Sequence, residues 1–284
     1  MFRKILVATD LSPASEQLIN HISGLSTLGT KEIVLLFCLN IRDVGSLAEM
    51  LSQLIKPVLE KQSRALADQG FAVTAEIRLG LPAIEINRTA REKQCALIVI
   101  GSHGYNLSKE ILLGGVATAV LHSATKPVIV IKMKPALTPK DKAWHPLEHI
   151  LYSTDFSDNA EAAFLYLEQL VKLGAKKVTL LHIQDQILGR HLKDRLDEFN
   201  RIDTERLERL RDRLITKGKP EISIEIPFGI VAEEILRRIT DNDITLVVMG
   251  TQGRGHIGEM FLGSVSNKVA RRSPVPILLV PLVR

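Results

Sequence analysis

The sequence predicts an α/β fold of two tandem, doubly wound domains, each with a parallel sheet covered by helices on both faces. Short apolar runs alternate with helical stretches along the 284 residues, an order typical of right-handed βαβ units. The chain also repeats itself: FRKILVATDLS at 2–12 returns as LEHILYSTDFS at 147–157, and ALIVIGSHG at 96–104 returns as TLVVMGTQG at 245–253. A repeat this long indicates two copies of one domain.

The elements follow from the apolar pattern in chain order. Ser12 followed by Pro13 is a helix start, with an N-cap residue and then proline in the first turn. In the first copy we expect strands at about 3–9, 32–39, 72–78, 96–101 and 127–132, and helices at about 13–28, 46–70, 82–94 and 109–124. In the second copy we expect strands at about 149–154, 177–184, 221–227, 244–250 and 276–281, with helices between them. The domains should span 1–135 and 147–284, joined by an extended linker at 136–146.

Composition narrows the classes of function. The net charge is +5, and no dense Lys/Arg tract with interleaved aromatics appears, so we expect no dedicated nucleic-acid binding. Cys38 and Cys95 lie in apolar runs and are interpreted as reduced core residues. The N-terminus has no signal-peptide pattern and no apolar run is long enough for a membrane helix, which together predict a cytoplasmic protein without membrane contact.

A glycine pattern follows the fourth strand of the second copy. Gly250 and Gly253 come at the end of the strand, and Gly263 and Ser264 follow after a nine-residue spacer, where a helix begins. Glycine lets a backbone approach a ligand closely, and a helix N-terminus favours anions. The spacing matches neither the Walker P-loop nor the dinucleotide fingerprint. The whole order predicts a polyphosphate site, whereas two glycines alone suit a tight turn equally well.

Further side chains are expected at the same edge of each sheet. Asp10 and Asp155 end the first strands, and ligands of such folds bind beyond the carboxyl ends of the strands. Ser157 and Asp158 are better placed than Asp155 to cap the next helix, which leaves Asp155 for the ligand. Ser266 could add a second hydroxyl, and Arg254 could reach phosphate, although a solvent-facing arginine is equally compatible with the sequence.

The pattern Gly-x2-Gly-x9-Gly-(Ser/Thr) at 250–264 resembles the nucleotide-binding signature of the universal stress protein family, and the resemblance covers nearly the whole chain as two tandem copies. It implies five-stranded parallel sheets of order 3-2-1-4-5 and a site for ATP or AMP, with Mg²⁺ or Mn²⁺ on the phosphates. The family places the aspartate, here Asp155, near the nucleoside. It uses backbone near the end of the second strand at the base, which corresponds to about Ile183 here and to Cys38 in the first copy.

The first copy departs from this pattern at the helix start. It keeps Asp10, Gly101, Gly104 and Gly114, but Gly115 stands in the place of Ser264 and alanine in the place of Ser266. Backbone donors could still hold a phosphate. We therefore expect weaker nucleotide binding there than in the second copy.

The resemblance implies a stress-linked regulator that acts by binding nucleotide. The residues show no Ser-His-Asp set, and His182, His191 and His256 have no metal-ligand spacing, so neither catalytic nor metal-ligating residues are assigned. The alternatives are a slow metal-dependent ATPase and a nucleotide-free scaffold for protein partners. Because the family pairs its fifth strands antiparallel, we expect the two copies to pair as a pseudo-dimer, and a homodimer of the whole chain stays open.

Overall fold

The computed structural model describes residues 1–44, 47–102, 113–132, 144–185, 196–253 and 262–282. The chain divides into two compact units, Met1–Trp144 and His145–Arg284, which we call the first and second domains. Most of the expected linker at 136–146 lies outside the described residues.

The first domain is a parallel sheet with helices between its strands. Its strands are β1 (Lys4–Thr9), β2 (Glu32–Asn40), β3 (Ala72–Gly80), β4 (Leu97–Gly101) and β5 (Val128–Ile131). Its helices are α1 (Pro13–His21), α2 (Ile41–Val44), α3 (Ala48–Ala67), α4 (Pro82–Glu92) and α5 (Gly115–Ser123), with a 3₁₀ segment at Ile22–Leu28. The strand order is β3-β2-β1-β4-β5, and every pairing is parallel. The predicted order 3-2-1-4-5 is confirmed.

The second domain repeats this topology. Its main strands are β6 (His149–Ser153), β7 (Lys177–Leu181), β9 (Glu221–Glu225), β11 (Leu246–Gly250) and β12 (Ile277–Val280), in the order β9-β7-β6-β11-β12. Its helices are α6 (Asp158–Lys172), α7 (Leu196–Ile215), α8 (Val231–Asp241) and α9 (Ser264–Arg272). Two short strands, β8 (Gln184–Asp185) and β10 (Phe228–Gly229), form a separate parallel pair.

The short pair continues the main sheet after one missing hydrogen bond. Leu181 pairs with Glu225 and Gln184 with Phe228, so the register is unchanged. The amides of His182 and Gln184 donate to Glu225 O (3.1 Å) and Pro227 O (2.9 Å). The intervening bond would need an N–H at position 227, which proline lacks. In the first domain Arg78 stands at this place, and β3 runs without a break to Gly80.

The inner strands of each sheet are apolar because both of their faces are covered, whereas the outer strands β3 and β9 are half-buried or exposed along most of their length. All five residues of β6 and of β11 are buried, as are all four of β12. Such continuous apolar runs are what a parallel sheet between two helix layers requires. The side chains of the sheet therefore form the core, and the ligand-accessible part of each domain is the edge where the strands end.

Two helix predictions differ from the structure. The helix expected at about 13–28 changes to 3₁₀ geometry at Ile22, in a stretch with glycine, serine and threonine, which are weak helix formers. Described residues 113 and 114 are not helical, and α5 begins only at Gly115, with Gly114 as its N-cap. Two consecutive glycines oppose an earlier start.

Candidate functional site

In both domains the aspartate and the described glycines of the predicted site lie at one edge of the sheet. In the second domain β6 pairs in parallel with β11 on one side and with β7 on the other. The chain therefore leaves β6 and β11 at neighbouring points, where the direction of strand order reverses. This is the switch point at which open α/β sheets bind ligands. Asp155 and the loop Gly250–Gly253 lie there.

The Gly250–Gly253 loop is held by hydrogen bonds from the helix that follows it. The amide of Gly263 donates to Thr251 O (2.7 Å), and Thr251 N donates to Val280 O at the end of β12 (3.1 Å). The Ser266 hydroxyl, which is buried, donates to Gly250 O at 2.9 Å. The position of the loop is thus set by α9 and by the sheet.

A side chain from α6 holds the same loop from the other direction. The Gln252 amide donates to Asn159 Oδ1 at 3.2 Å. Asn159 is 5% exposed, and its Nδ2 has no hydrogen-bond partner among the described residues. The sequence reasoning missed this residue. The available signal was the difference between Asn159 and Ala14, which occupies the same place after the first strand of the other copy.

Neighbouring protein atoms leave little space for a side chain at the three glycines. A Cβ added to Gly250 would lie 1.9 Å from Asn159 Oδ1, and one added to Gly253 would lie 2.7 Å from Asp155 Oδ2. A Cβ on Gly263 would lie 3.2 Å from Thr251 O. The sequence predicted glycine here for close approach of a ligand, and the structure adds close approach of the loop to its own support.

Asp155 is bound more tightly to its own chain than predicted. Ser157 is the N-cap of α6, as expected, and accepts from Ala160 N at 3.3 Å. Ser157 also donates to Asp155 Oδ1 through its amide (3.1 Å) and its hydroxyl (2.6 Å). Asp155 is therefore not the cap of α6, as predicted, but it is hydrogen-bonded to the residue that is. Oδ1 is occupied, and Oδ2 is the oxygen nearest to Gly253.

The turn after the first strand has the same unusual backbone in both domains. Phe156 has φ 59° and Leu11 has φ 60°, in the left-handed region that non-glycine residues rarely adopt. Each follows the aspartate directly. Asp10 accepts from Ser12 N at 3.0 Å and from the Ser15 hydroxyl. The same turn geometry therefore orients the aspartate in both domains.

The start of α9 differs between its two serines. Ser264 is exposed at the first helical position, and its N-cap Gly263 makes no side-chain cap. The first amides of a helix have no intrahelical partner and favour an anion. Ser266, by contrast, uses its single hydroxyl proton on Gly250 O. Its expected role as a second donor to the ligand is replaced by support of the loop.

Ile183 lies between β7 and β8 and is buried. Its neighbours His182 and Gln184 send their amides toward β9 and Pro227. Because backbone polar groups alternate in direction along an extended strand, the N–H and C=O of Ile183 face the β6 side. The last bond on that side joins Thr154 N to Leu181 O at 3.0 Å, so the Ile183 backbone lies just beyond it, at the edge of the crevice.

His182 is part of a polar cluster that the sequence did not predict. Its Nδ1 donates to Thr154 O (2.8 Å), its Nε2 lies 3.4 Å from Asp203 Oδ2, and its ring contacts Phe156 with centroids 4.6 Å apart. Arg206 lies over the same Phe156 ring at 5.1 Å. The cluster joins the end of β7 to α7 and to the turn after β6.

The first domain keeps the loop anchors that use backbone alone. Gly114 N donates to Ser102 O (2.8 Å) and Ser102 N to Ile131 O (2.9 Å), as in the second domain. The half-buried Gly101 ends β4, and Gly115 has nothing within 4 Å of an added Cβ. The two side chains that support the loop of the second domain have no counterpart here, because Ala14 and Ala117 replace Asn159 and Ser266.

Cys38, at the predicted base position of the first domain, is a half-buried free thiol in β2. Burial raises its pKa to about 12, with a smaller contribution from Glu85. Cys95 is buried in the turn before β4, and burial raises its pKa to about 11. Both thiols stay protonated at neutral pH. Cys95 lies in the core as predicted, whereas Cys38 is only half-buried.

Two predicted site residues, Gly104 and Arg254, lie outside the described residues. Within the described ranges, no group of three or more His, Cys, Asp and Glu side chains is arranged to hold a metal ion. None of the described helices combines the length and the apolar character needed to cross a bilayer.

Comparison with known proteins identifies relatives of both halves. A model of the universal stress protein family matches residues 1–132 and 146–281. Universal stress protein MJ0577 of Methanocaldococcus jannaschii is 31% identical over 157 residues, covering 47% of this chain and 97% of that protein. Universal stress protein Rv2005c of Mycobacterium tuberculosis is 26% identical over 216 residues, covering 75% of this chain and 70% of that protein.

A solved structure matches over the full length. The crystal structure of a universal stress protein from Archaeoglobus fulgidus DSM 4304 has a TM-score of 0.78 and 25% identity to this chain, and the match covers 99% of each. The family model accounts for nearly all residues of both domains. The chain therefore belongs to the universal stress protein family, as a member with two copies of the family domain in tandem.

Proposed function

We propose that the second domain binds an adenine nucleotide, ATP or AMP, and that the protein is a regulator in the stress response whose state depends on that nucleotide. The observation that carries the proposal is the meeting of three features at one edge of the sheet: a fixed glycine loop, the open start of α9, and Asp155. Each of them suits a different part of a nucleotide.

The phosphates would lie between the Gly250–Gly253 loop and the first turn of α9. The amides of Ser264, Val265 and Ser266 have no intrahelical acceptor, and the helix dipole adds partial positive charge at this end. Ser264 is exposed and offers a hydroxyl as well. Hydrogen bonds to a charged acceptor contribute about 1.5–3 kcal/mol each when well placed, so this turn supplies enough donors for a phosphate group.

The nucleoside would extend from the phosphates toward β7. Asp155 Oδ2 is directed to the Gly253 side of the crevice, where a carboxylate can accept from a ribose hydroxyl. The backbone of Ile183 faces the same crevice and can pair with the polar edge of a base. This direction would bring the base toward His182 and Phe156, whose rings are in contact at the end of β7.

A divalent cation is a secondary part of the proposal. No described acidic cluster could hold Mg²⁺ or Mn²⁺ on its own. The ion would be carried mainly by the phosphate oxygens and water, with Asp155 as the nearest carboxylate. Its chemical contribution when bound would be to neutralise phosphate charge.

The decisive experiment identifies the ligand directly. Mass spectrometry of the small molecule released when the purified chain is denatured should detect an adenine nucleotide, and calorimetry on the emptied protein should give saturable binding of ATP or AMP. A protein that carries no nucleotide and shows no heat of binding or thermal shift with either would refute the proposal and favour a scaffold. Phosphate release under single-turnover conditions, lost on Asp155→Ala, would instead identify an ATPase.

We also propose, from the family resemblance, that the fifth strands β5 and β12 pair with each other as a pseudo-dimer. Each is the last strand in its own domain's order, and an apolar outer strand is a pairing hazard unless it is covered. A protease site placed in 136–143 tests this. The two halves should stay together on size exclusion after cleavage, and elution as two separate species would disprove the pairing. The same column, run with light scattering on the uncut chain, tests for a homodimer.

A further inference from the structure

The two domains differ in how the loop after their fourth strand is supported. Both use backbone bonds from the helix that follows the loop, Gly263 N to Thr251 O at 2.7 Å and Gly114 N to Ser102 O at 2.8 Å. The second domain adds the side chains of Asn159 and Ser266 from two helices, and the first domain has alanines at these two positions. Asn159 is the less expected of the two, because it belongs to the helix after β6 and is distant in sequence from the loop.

The Asn159 amide holds one defined atom of the loop. Its Oδ1 accepts from Gln252 N, the amide midway between Gly250 and Gly253, at 3.2 Å. The reverse orientation would set an NH₂ group against this N–H, so the position of Oδ1 is fixed by its partner. Gly250 has room only for a hydrogen at this contact, since an added Cβ would lie 1.9 Å from Oδ1.

Asn159 lowers the stability of the folded domain if only the fold is considered. It is 5% exposed, and its Nδ2 finds no acceptor among the described residues. A buried donor without a partner destabilises a protein, and each such group calls for an explanation. Alanine at the equivalent place, Ala14, is also buried and leaves no polar group unsatisfied. The asparagine therefore has a purpose that the core does not supply.

We infer that Asn159 is a positioning residue for the nucleotide site, which holds Gln252 N and thereby keeps the Gly250–Gly253 loop in its binding geometry before the ligand arrives. The inference rests on the proposed function. On this inference, the expected difference in nucleotide affinity between the two domains has two causes: the Ser264 hydroxyl and the order of the loop. A loop that is ordered in advance loses less entropy on binding and so binds more tightly.

The test compares Asn159→Ala with Asn242→Ala in the full-length chain. Asn242 is a matched control in the same domain, because its side-chain Nδ2 donates to Glu225 Oε1 at 3.3 Å, away from the loop. In the nucleotide-free protein, Asn159→Ala should raise the hydrogen-exchange rate of the Gln252 amide about tenfold and leave the amides of α8 unchanged. The affinity for ATP, measured by calorimetry, should fall about tenfold. Asn242→Ala should do neither.

A second variant separates positioning from general damage. Asn159→Asp keeps an oxygen that can accept from Gln252 N, so it should restore slow exchange of that amide. Unchanged Gln252 exchange in Asn159→Ala would overturn the inference, as would faster exchange with full ATP affinity. If the wild-type chain binds no ATP, the proposed function fails, while the exchange measurement still decides whether Asn159 orders the loop.

Discussion

Gly263 lies against the Gly250–Gly253 loop, which it also supports. Its amide donates to Thr251 O, and its Cα lies so close to the loop that an added Cβ would be 3.2 Å from Thr251 O and 3.4 Å from Gln252 Cα. Its φ of −61° is open to any residue. The constraint at this position is therefore space alone, and it should grow with the size of the side chain.

Graded substitution of Gly263 tests this constraint. Gly263→Ala needs a shift of a few tenths of an ångström and should weaken ATP binding only several-fold, whereas the branched Gly263→Val should displace the loop and abolish measurable binding. Gly115→Val, in the first domain, is the control for the effect of a branched residue at a helix start on folding and on the second-domain site, because nothing lies within 4 Å of a Cβ at Gly115. Calorimetry with ATP measures all three, and full affinity in Gly263→Val would remove Gly263 from the site.

His149 makes the second domain sensitive to acid. Burial lowers the pKa of this imidazole below its ordinary value of 6.5, and its Nε2 bonds Thr179 Oγ1 at 2.9 Å. Below about pH 6.5 the unfolded chain takes up a proton that the native histidine does not, so the free energy of unfolding falls as the pH falls through this range, and no such loss occurs above it. His149→Gln, which can keep the bond to Thr179, should reduce the loss of stability between pH 7.5 and 5.5. Urea denaturation at the two pH values measures it, and identical pH dependence in both proteins would contradict the assignment.

At the scale of elements, the start of α6 combines capping of the helix with a hydrogen bond that orients Asp155. Ser157 accepts from Ala160 N as the N-cap and donates to Asp155 Oδ1. In α1 the equivalent Ser12 accepts from Ser15 N at 3.2 Å, but the hydroxyl that reaches the aspartate belongs to Ser15. The same two tasks are thus done by one residue in the second domain and by two in the first.

Removing the two caps should therefore give different results. Ser157→Ala and Ser12→Ala should each lower the free energy of unfolding by about 1 kcal/mol, measured by urea denaturation. Only Ser157→Ala should also weaken ATP binding, because it releases Asp155 from a bond that orients it. Equal ATP affinity in the two variants would show that Asp155 does not depend on Ser157.

The elements also show what a sequence can predict. Strands were predicted within a few residues, because buried parallel strands are continuous apolar runs. The β8–β10 pair was missed, because two-residue strands carry no periodic signal. Asn159 was missed because its contact joins residues 93 apart in sequence. Glycine spacing and Asp155 predict the candidate site, whereas the bonds inside it depend on tertiary distances that no local pattern encodes.

At the scale of the whole molecule, the two domains share a topology and differ in their sites. The second domain has the Ser264 hydroxyl, Asn159 and the Ser266 support, and the first has Gly115, Ala14 and Ala117 in their places. Each loss weakens either a contact or the order of the loop. Nucleotide binding should accordingly be unequal.

Two variants of the full chain test the inequality. Gly253→Val should disable the second site, since a Cβ there would lie 2.7 Å from Asp155 Oδ2, and Gly104→Val should disable the first. The chain that keeps only the first site should bind ATP at least about tenfold more weakly than the chain that keeps only the second. Adding Gly115→Ser to the weaker chain should recover part of the affinity. Equal titrations of the two single-site chains would show that the two sites are equivalent.

Pro227 gives the outer edge of the second sheet a mechanical property that the first lacks. By removing one rung between β7 and β9, it separates β8 and β10 from the main ladder without changing their register. The β8–β10 pair can separate by breaking only its own few hydrogen bonds. The corresponding ends of β2 and β3 in the first domain belong to a continuous nine-residue ladder and can separate only as part of it. The rung is missing beside Ile183. A ligand bound beside Ile183 would contact the part of the sheet where the hydrogen-bond ladder is interrupted. If it drew β8 and β10 toward the main ladder, the movement would be transmitted to α7 through the contact between His182 and Asp203.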